Sequence, residues 1–504
     1  MLDRKWVRVL ALLEVRFPEL NRTLEAESGD NLFVVMRENG VSLVADCGGL
    51  GTCGRCRVIV NGKSQLACRT YLLHDSVVTM PSGSMEDSYE ILVDHGDVEN
   101  NGGPQDYRAF SGRSGYGLAI DIGTTTLVGK LVDLNTGIEV ASFAQLNSQR
   151  SFGSDVISRI NMALDDASVL SGMITSQIDT LVASMLRQHG IDTSLVNTLV
   201  VAGNTTMAYL LLGLPCRSLG TAPFTPQFTF KTVYSWGEIF HTSTLSCNCY
   251  ILPFLSAFVG GDVVAGLCLL GNRDDFILMD MGTNGEILFK RGDRFLCTAT
   301  AAGPAFEGGC IECGSGSIRG AVSAVRLVDR EWQLKTIGAA PATSICGSGI
   351  LDLMALLVGE GFVDSTGLMT QKTINGLIKL SADSDSPYFT QKDVRQFQLA
   401  KSAVRSGVEI ILAEMGGELP SHLYLAGGFG QSLNPDSALA TGLLPEVFSG
   451  RIHAIGNSSL GGATKVCLDE SLCSGLSSLI QGVQEINLAT HPLFGDLFME
   501  HMGL

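Results

Sequence analysis

The chain carries little charge, and the charge is lopsided. Of its 504 residues only 17% are Asp, Glu, Lys or Arg, and 51 acidic against 34 basic residues leave a net charge of −17. Binding nucleic acid needs a basic face, so that class of partner is excluded. Long apolar runs are missing as well: none approaches the roughly 18 residues that cross a bilayer, and no membrane is expected. Trp6–Leu13 is apolar, but Arg8 interrupts it, Glu14 follows, and no small-residue cleavage site comes next. It reads as a strand and not a signal peptide, which places the protein in the cytoplasm. The eight histidines show no metal-ligand spacing. No Gly-x4-Gly-Lys-Ser/Thr stretch exists, so this is not a P-loop enzyme. Hydrophobic residues make up 45%, which excludes a disordered chain and supplies material for about three folded units.

Cysteine, by contrast, is abundant: 14 in all. Four of them fall in the order Cys47-x5-Cys53-x2-Cys56-x11-Cys68. In a reducing compartment such a group is a metal site more often than a disulfide framework. Gly48, Gly49, Gly51 and Gly54 strip side chains from the loop, so its backbone can wrap a cluster core and aim N–H groups at sulfur. Arg57–Val60 and Ser64–Ala67 flank Asn61-Gly62, a hairpin signal that returns Cys68 to the other three. Structural zinc, the alternative, prefers two short Cys pairs, and within this segment only Cys53-x2-Cys56 is present. Residues 10–82 resemble the plant-type and succinate-dehydrogenase-type [2Fe–2S] ferredoxin domains. That resemblance implies a potential near about −400 mV.

Residues 1–83 read as one α+β unit. Leu12–Phe17 is a strand, Pro18–Asn21 a turn and Thr23–Glu27 a second strand. Asp30 is expected to cap a short helix through Asn39, closed by Gly40 in the left-handed conformation. Residues 84–115 are rich in Ser, Asp, Glu, Asn and Gly and read as a flexible linker.

A local pattern then occurs twice. Asp121 ends an apolar strand and leads into Gly123-Thr124-Thr125-Thr126; Asp280 ends another and leads into Gly282-Thr283-Asn284-Gly285. Each tip offers backbone N–H groups and polar side chains to phosphate, and each Asp can hold Mg²⁺ through water. Two such tips imply two similar lobes facing one ligand. Gly427-Gly428-Phe429-Gly430 follows the strand Leu423–Ala426 and suits close approach to an adenosine. Gly347-Ser348-Gly349 opens the helical stretch Ile350–Gly359, whose N-terminus favours an anion. Gly203-Asn204-Thr205-Thr206 follows the strand Thr198–Ala202. Asp262 and Glu307, in glycine-rich turns, are candidates to place Mg²⁺ or orient the attacking water; capping a helix or a turn is the competing reading. Cys310, Cys313, Cys247 and Cys249 read as buried small hydrophobes.

From 116 to 465 these elements resemble the acetate and sugar kinase, heat-shock chaperone and actin superfamily. The resemblance implies an α+β, ferredoxin-like (β-grasp) N-terminal domain followed by an α/β, two-lobed, actin-like ATPase domain. Lobe I is expected over 116–255, lobe II over 256–465, and a C-terminal extension packed on the ATPase over 466–504. The fusion resembles the reductive activators of corrinoid-dependent methyltransferases, through Asp121–Thr126, Gly203–Met207, Phe258–Asp262, Gly303–Gly308 and Cys346–Gly349. It implies ATP-driven return of Co(II) corrinoid to Co(I). The cofactors implied are a [2Fe–2S] cluster, ATP and Mg²⁺. The partners implied are a corrinoid protein of a methyltransferase or demethylase system and a low-potential electron donor, with a homodimer left open. Members can carry a further domain between ferredoxin and ATPase, for which this linker has no room. A small-molecule kinase with a regulatory cluster, and an activator of another low-potential enzyme, are the competing functions.

Overall fold

Strand alternation builds the N-terminal unit. Leu13, Val15 and Phe17 of β1 (Leu12–Phe17) face inward while Leu12, Glu14 and Arg16 face solvent. β2 (Arg22–Glu27), α1 (Leu32–Glu38), β3 (Arg57–Val60), β4 (Lys63–Leu66) and β5 (Ser76–Thr79) complete it, with strand order β2-β1-β5-β3-β4. The computed structural model describes residues 12–41, 43, 56–80, 113–153, 155–228, 231–271, 273–282, 284–329, 331–373, 376–381 and 386–504. The expected linker lies almost wholly outside these residues, as does Trp6–Leu13 before Leu12. The Asn61-Gly62 hairpin forms as read, with both residues at positive φ, 49° and 77°. The cap of α1 differs from expectation. Asn31, not Asp30, accepts from the N–H groups of Phe33 and Val34, because the Asp30 carboxylate accepts from Glu27 N instead.

The next unit holds β6 (Tyr116–Ile122), β7 (Thr126–Asp133), β8 (Glu139–Leu146), α2 (Val156–Met162), α3 (Ser168–Gln188), β9 (Val196–Gly203), α4 (Thr205–Leu211), α5 (Arg217–Gly220), β10 (Val233–Ser235), α6 (Trp236–Phe240) and β11 (Asn248–Ile251). Its strand order is β10-β11-β9-β6-β7-β8. α3 corrects one expectation: its 21 residues, mean hydropathy 1.3 in the most apolar stretch, are long and apolar enough to cross a membrane. Here Leu170, Ile174, Ile178, Val182 and Met185 instead bury one helical face in the core of this lobe.

After α7 (Gly261–Leu270) the plan repeats. β12 (Asp275–Met281), β13 (Gly285–Arg291) and β14 (Arg294–Thr300) form a meander like β6-β7-β8. Then follow β15 (Ala321–Val328), β16 (Glu331–Thr336), β17 (Ser344–Ile345), α8 (Gly347–Gly359), β18 (Leu377–Lys379), β19 (Tyr388–Thr390), α9 (Gln391–Glu414), β20 (His422–Ala426), α10 (Gly427–Ser432), α11 (Pro435–Ala440) and β21 (Ile452–Gly456). β12 lies parallel to β20, as β6 lies parallel to β9, and the second large sheet, closed by β22 (Val483–Glu485), reads β21-β20-β12-β13-β14-β22. The rest of the chain is α12 (Ser458–Leu468), α13 (Ser471–Gln481), β22 (Val483–Glu485) and α14 (Phe494–Glu500). β22 is a strand of the second sheet, and Ser402 and Gln398 of α9 donate to the carbonyls of Phe498 and Met502.

α7 and α12 run together between the two sheets. At their crossing a Cβ on Gly462 would sit 1.8 Å from the Ala265 carbonyl oxygen. Gly462→Ala should therefore destabilise the protein by about 1–3 kcal/mol, as overpacking does in a tight core. Gly475, with nothing within 4 Å of such a Cβ, is the neutral control. Thermal denaturation of the two variants checks this.

Candidate functional site

The β3–β4 hairpin sets the thiols. Ala67 N donates to Cys56 O at 2.7 Å, Asn31 Nδ2 donates to Cys68 O at 2.9 Å, and the two Sγ atoms lie 3.1 Å apart, both buried. Two buried thiols in contact are the donor set one iron atom needs, so they fit the cluster. Cys47 and Cys53 lie outside the described residues.

The two glycine tips come from equivalent positions of the two sheets. Gly123 N donates to Thr126 O at 2.9 Å; Gly282 N donates to Asn284 O at 2.9 Å, so the second tip is one residue tighter. Thr283 lies outside the described residues. Asp121 pairs with Val128 on β7, and Asp280 pairs with Glu286 on β13. The hairpin of lobe II thus adds a second carboxyl where lobe I has valine. Asp262 joins from the first turn of α7, its Oδ1 accepting from Val263 N at 2.8 Å.

Partners reach this place from across the fold. Asn457 and Ser459, at the start of α12, donate to the two oxygens of Asp121 at 3.0 and 2.7 Å. Asn204 donates to Thr124 Oγ1 at 3.2 Å. Gly427, at φ +81°, lies so close to Asp280 that a Cβ would be 2.7 Å from its Oδ1. Gly428 beside it opens onto free space, and Phe429 stacks on Phe306 at 4.8 Å. A cavity of about 350 Å³ bounded by Leu211, Phe228, Tyr234 and Glu238 lies elsewhere, on the flank of lobe I, and contains none of these groups.

Comparison with known proteins follows the same division. Residues 17–73 match the 2Fe-2S iron-sulfur cluster binding domain, 116–273 the RACo middle region, and 274–504 the C-terminal domain of RACo, the ASKHA domain. The corrinoid activation enzyme RamQ of Eubacterium limosum is 32% identical over 415 residues, covering 76% of this chain and 69% of that protein. The chain belongs to the RACo family. The [Co(II) methylated amine-specific corrinoid protein] reductase of Methanosarcina barkeri is 24% identical over 422 residues, 76% of either chain. A solved reductive activator for corrinoid, iron-sulfur protein superposes with a TM-score of 0.68 at 25% identity, over 98% of both chains.

In this RACo-family cleft the four carboxyls share one electrostatic problem. Each is half-buried, in touch with solvent yet walled by protein. Burial pushes Asp280 up to about 8, with Asp262 and Asp121 adding repulsion. Burial raises Asp262 to about 6, against the hydrogen bond from Val263. Burial lifts Asp121 too, countered by Ser459 and Asn457. Glu286 is held well above the usual carboxylate range by burial and by the charges of Asp262 and Asp280. Glu307 ends the short 3-10 turn Pro304–Glu307 beside Phe306, and Glu286 joins the carboxyl group from β13. Strand pairing across the Gly282–Gly285 tip was the signal that could have found Glu286.

Gly347, Ser348 and Gly349 are buried, and Cβ atoms on the two glycines would sit 1.8 Å from Phe306 O and 2.1 Å from Val322 O. Their smallness lets the start of α8 pack against those carbonyls. One further expectation, on Cys310 and Cys313, changes. Cys310 is exposed, at φ +62°, and Cys313 half-buried, because the turn after Gly309 carries them to the surface; Cys247 and Cys249 are buried as read.

The pH dependence follows. With Asp280 near 8 in the fold and 3.8 in the unfolded chain, the folded state binds the extra proton between those values. Stability without nucleotide therefore falls as pH rises through that window. Asp280→Asn should match wild type below pH about 4 and exceed it at pH 8, by about 1–2 kcal/mol once solvent screening of this half-buried group reduces the full linkage value, read from denaturant unfolding at both pH values.

Proposed function

We propose that this protein is an ATP-dependent reductive activator of a corrinoid protein, moving one electron from a [2Fe–2S] cluster to Co(II) to give Co(I). The observation that carries this is the union, in one RACo-family chain, of a buried thiol pair at Cys56 and Cys68 with a cleft where two glycine tips and four carboxyls converge. Bound Mg²⁺ would supply positive charge to the phosphates, and a bound cluster would supply the electron. Asp121, Asp262, Asp280 and Glu286 suit a hard cation held partly through water, since among the described residues no three His, Cys, Asp or Glu side chains form a ready-made metal nest. The N–H groups at Gly123–Thr126 and Gly282–Gly285 suit phosphate, and Gly427–Gly428 suits the adenosine side. The lobes, 116–255 and 256–465, would close as a hinge, with 466–504 tying α9 and the second sheet together. A low-potential donor would refill the cluster, and the setting is cytoplasmic.

The Co(II)/Co(I) couple usually lies below such a cluster, and each 59 mV of deficit costs a factor of ten, about 1.4 kcal/mol. ATP can offset this only through different affinity for two states of the complex. Reduced protein mixed with a corrinoid protein should therefore develop the Co(I) absorption band to a greater extent with Mg-ATP than without. Equal yields would favour a kinase or a plain carrier. Separately, Cys56→Ser and Cys68→Ser should bleach the anaerobically purified protein, which otherwise holds about two iron and two sulfide per chain. Cys310→Ser should keep its colour. Stoichiometric zinc without iron after reconstitution would contradict the cluster.

A further inference from the structure

The ferredoxin unit rests on lobe I at a point wired to the first glycine tip. Along α1, Leu32, Phe33, Val35 and Met36 are buried in their own core, leaving Arg37 in the last turn facing outward. Its guanidinium carbon lies 4.6 Å from the centroid of Phe152 in lobe I and 5.9 Å from that of Phe33 in its own helix. The cation is held between two rings. Its Nε is buried and has no hydrogen-bond partner among the described residues, so the ring faces are what compensates it.

Phe152 ends the 3-10 segment Ser148–Phe152, whose cap is Asn147. Asn147 is fully buried; its Nδ2 donates to Gly123 O at 2.9 Å and its N to Thr125 O at 3.0 Å. Arg159, also fully buried, donates from Nη2 to Thr124 O and from Nε to Gly153 O at 2.8 Å. Three successive carbonyls of the tip are thus taken by two residues that frame 147–153. One side of the Gly123–Thr125 backbone is clamped to the segment that carries Phe152. A shift of the tip must move that segment or break buried hydrogen bonds, each costly to leave unmade.

We propose that the ferredoxin unit docks through α1 on segment 148–152, with Arg37 on Phe152 as its anchor, and that nucleotide in the cleft sets the strength of this docking through Asn147 and Arg159. The coupling rests on the reading of Gly123–Thr126 as a phosphate-binding tip; the docking does not. Nucleotide that favours one position of the tip favours one position of the ferredoxin unit, and so of its cluster, by the difference in affinity between the two.

Hydrogen–deuterium exchange on the anaerobic full-length holoprotein, with and without Mg²⁺ and a non-hydrolysable ATP analogue, tests both parts. Peptides over 32–38, 123–126 and 148–153 are followed in wild type, Arg37→Ala, Phe152→Ala and Phe152→Leu. Without nucleotide, Arg37→Ala and Phe152→Ala should speed exchange at 32–38 by about fivefold, the worth of a partly desolvated cation–ring contact. Phe152→Leu, which keeps bulk and loses the ring face, should fall between. With nucleotide, wild type should change at all three segments, while Arg37→Ala should change at 123–126 and 148–153 and not at 32–38. Exchange at 32–38 that is the same in all four proteins overturns the docking. A wild-type response at 123–126 without one at 32–38 overturns the coupling. Silence at 123–126 itself overturns the phosphate reading and the coupling together, while the nucleotide-free comparison still decides the docking.

Discussion

Asp121, Asp262, Asp280 and Glu286 crowd one cleft, and their repulsion is bearable only with protons or a cation among them. Much of the fold can be understood as what is needed to hold them there. Duplicated meanders bring Asp121 and Asp280 to matching strand ends. α12 returns from the second sheet so that Asn457 and Ser459 can restrain Asp121, and it packs on α7, which carries Asp262. Gly427 is glycine because Asp280 leaves no room for anything larger. The duplication is not symmetric: Glu286 faces Asp280 where Val128 faces Asp121, so lobe II brings more charge to the cleft than its counterpart.

Such a cleft is two-sided in its energetics. Empty, it stores unfavourable charge that burial and protonation contain. Filled by a cation and phosphates, as proposed, the same groups would become attractive, and the gain would be available to the two lobes that contribute them. The elements that would transmit it are those already tied to the carboxyls: α12 with β6, through Cys467 Sγ on Leu118 O at 3.2 Å, and the 147–153 segment behind the first tip. The ferredoxin unit touches the second of these.

Local chemistry was legible in the sequence wherever a few adjacent residues decide the backbone. Asn61-Gly62 gave its hairpin and Gly40 its left-handed closure at φ +66°. The repeat of Asp, Gly and Thr announced two lobes. Reasoning failed where two neighbours compete or where tertiary pairing decides. Asp30 and Asn31 are both good caps, and only the strand geometry that gives Asp30 to Glu27 N separates them. Glu286 belongs to no motif, and only its cross-strand register with Asp280 places it in the cleft. Gly347 and Gly349 must also be small because Phe306 and Val322 press on them, a constraint that no local motif carries. Asn147, Arg159, Asn457 and Ser459 carry no motif, since the tip and carboxylate groups that their side chains hold lie from 24 to 338 residues away.

On the function proposed above, the nucleotide's cation takes over the charge of this cleft. Calorimetric titration of Mg-ATP into the protein at pH 7, in buffers of different ionisation enthalpy, measures the protons exchanged on binding. With Asp280 near 8, binding should release about one proton or more, and Asp280→Asn should release fewer. Tight binding of Mg-ATP with no proton released, or with protons taken up, would contradict the account.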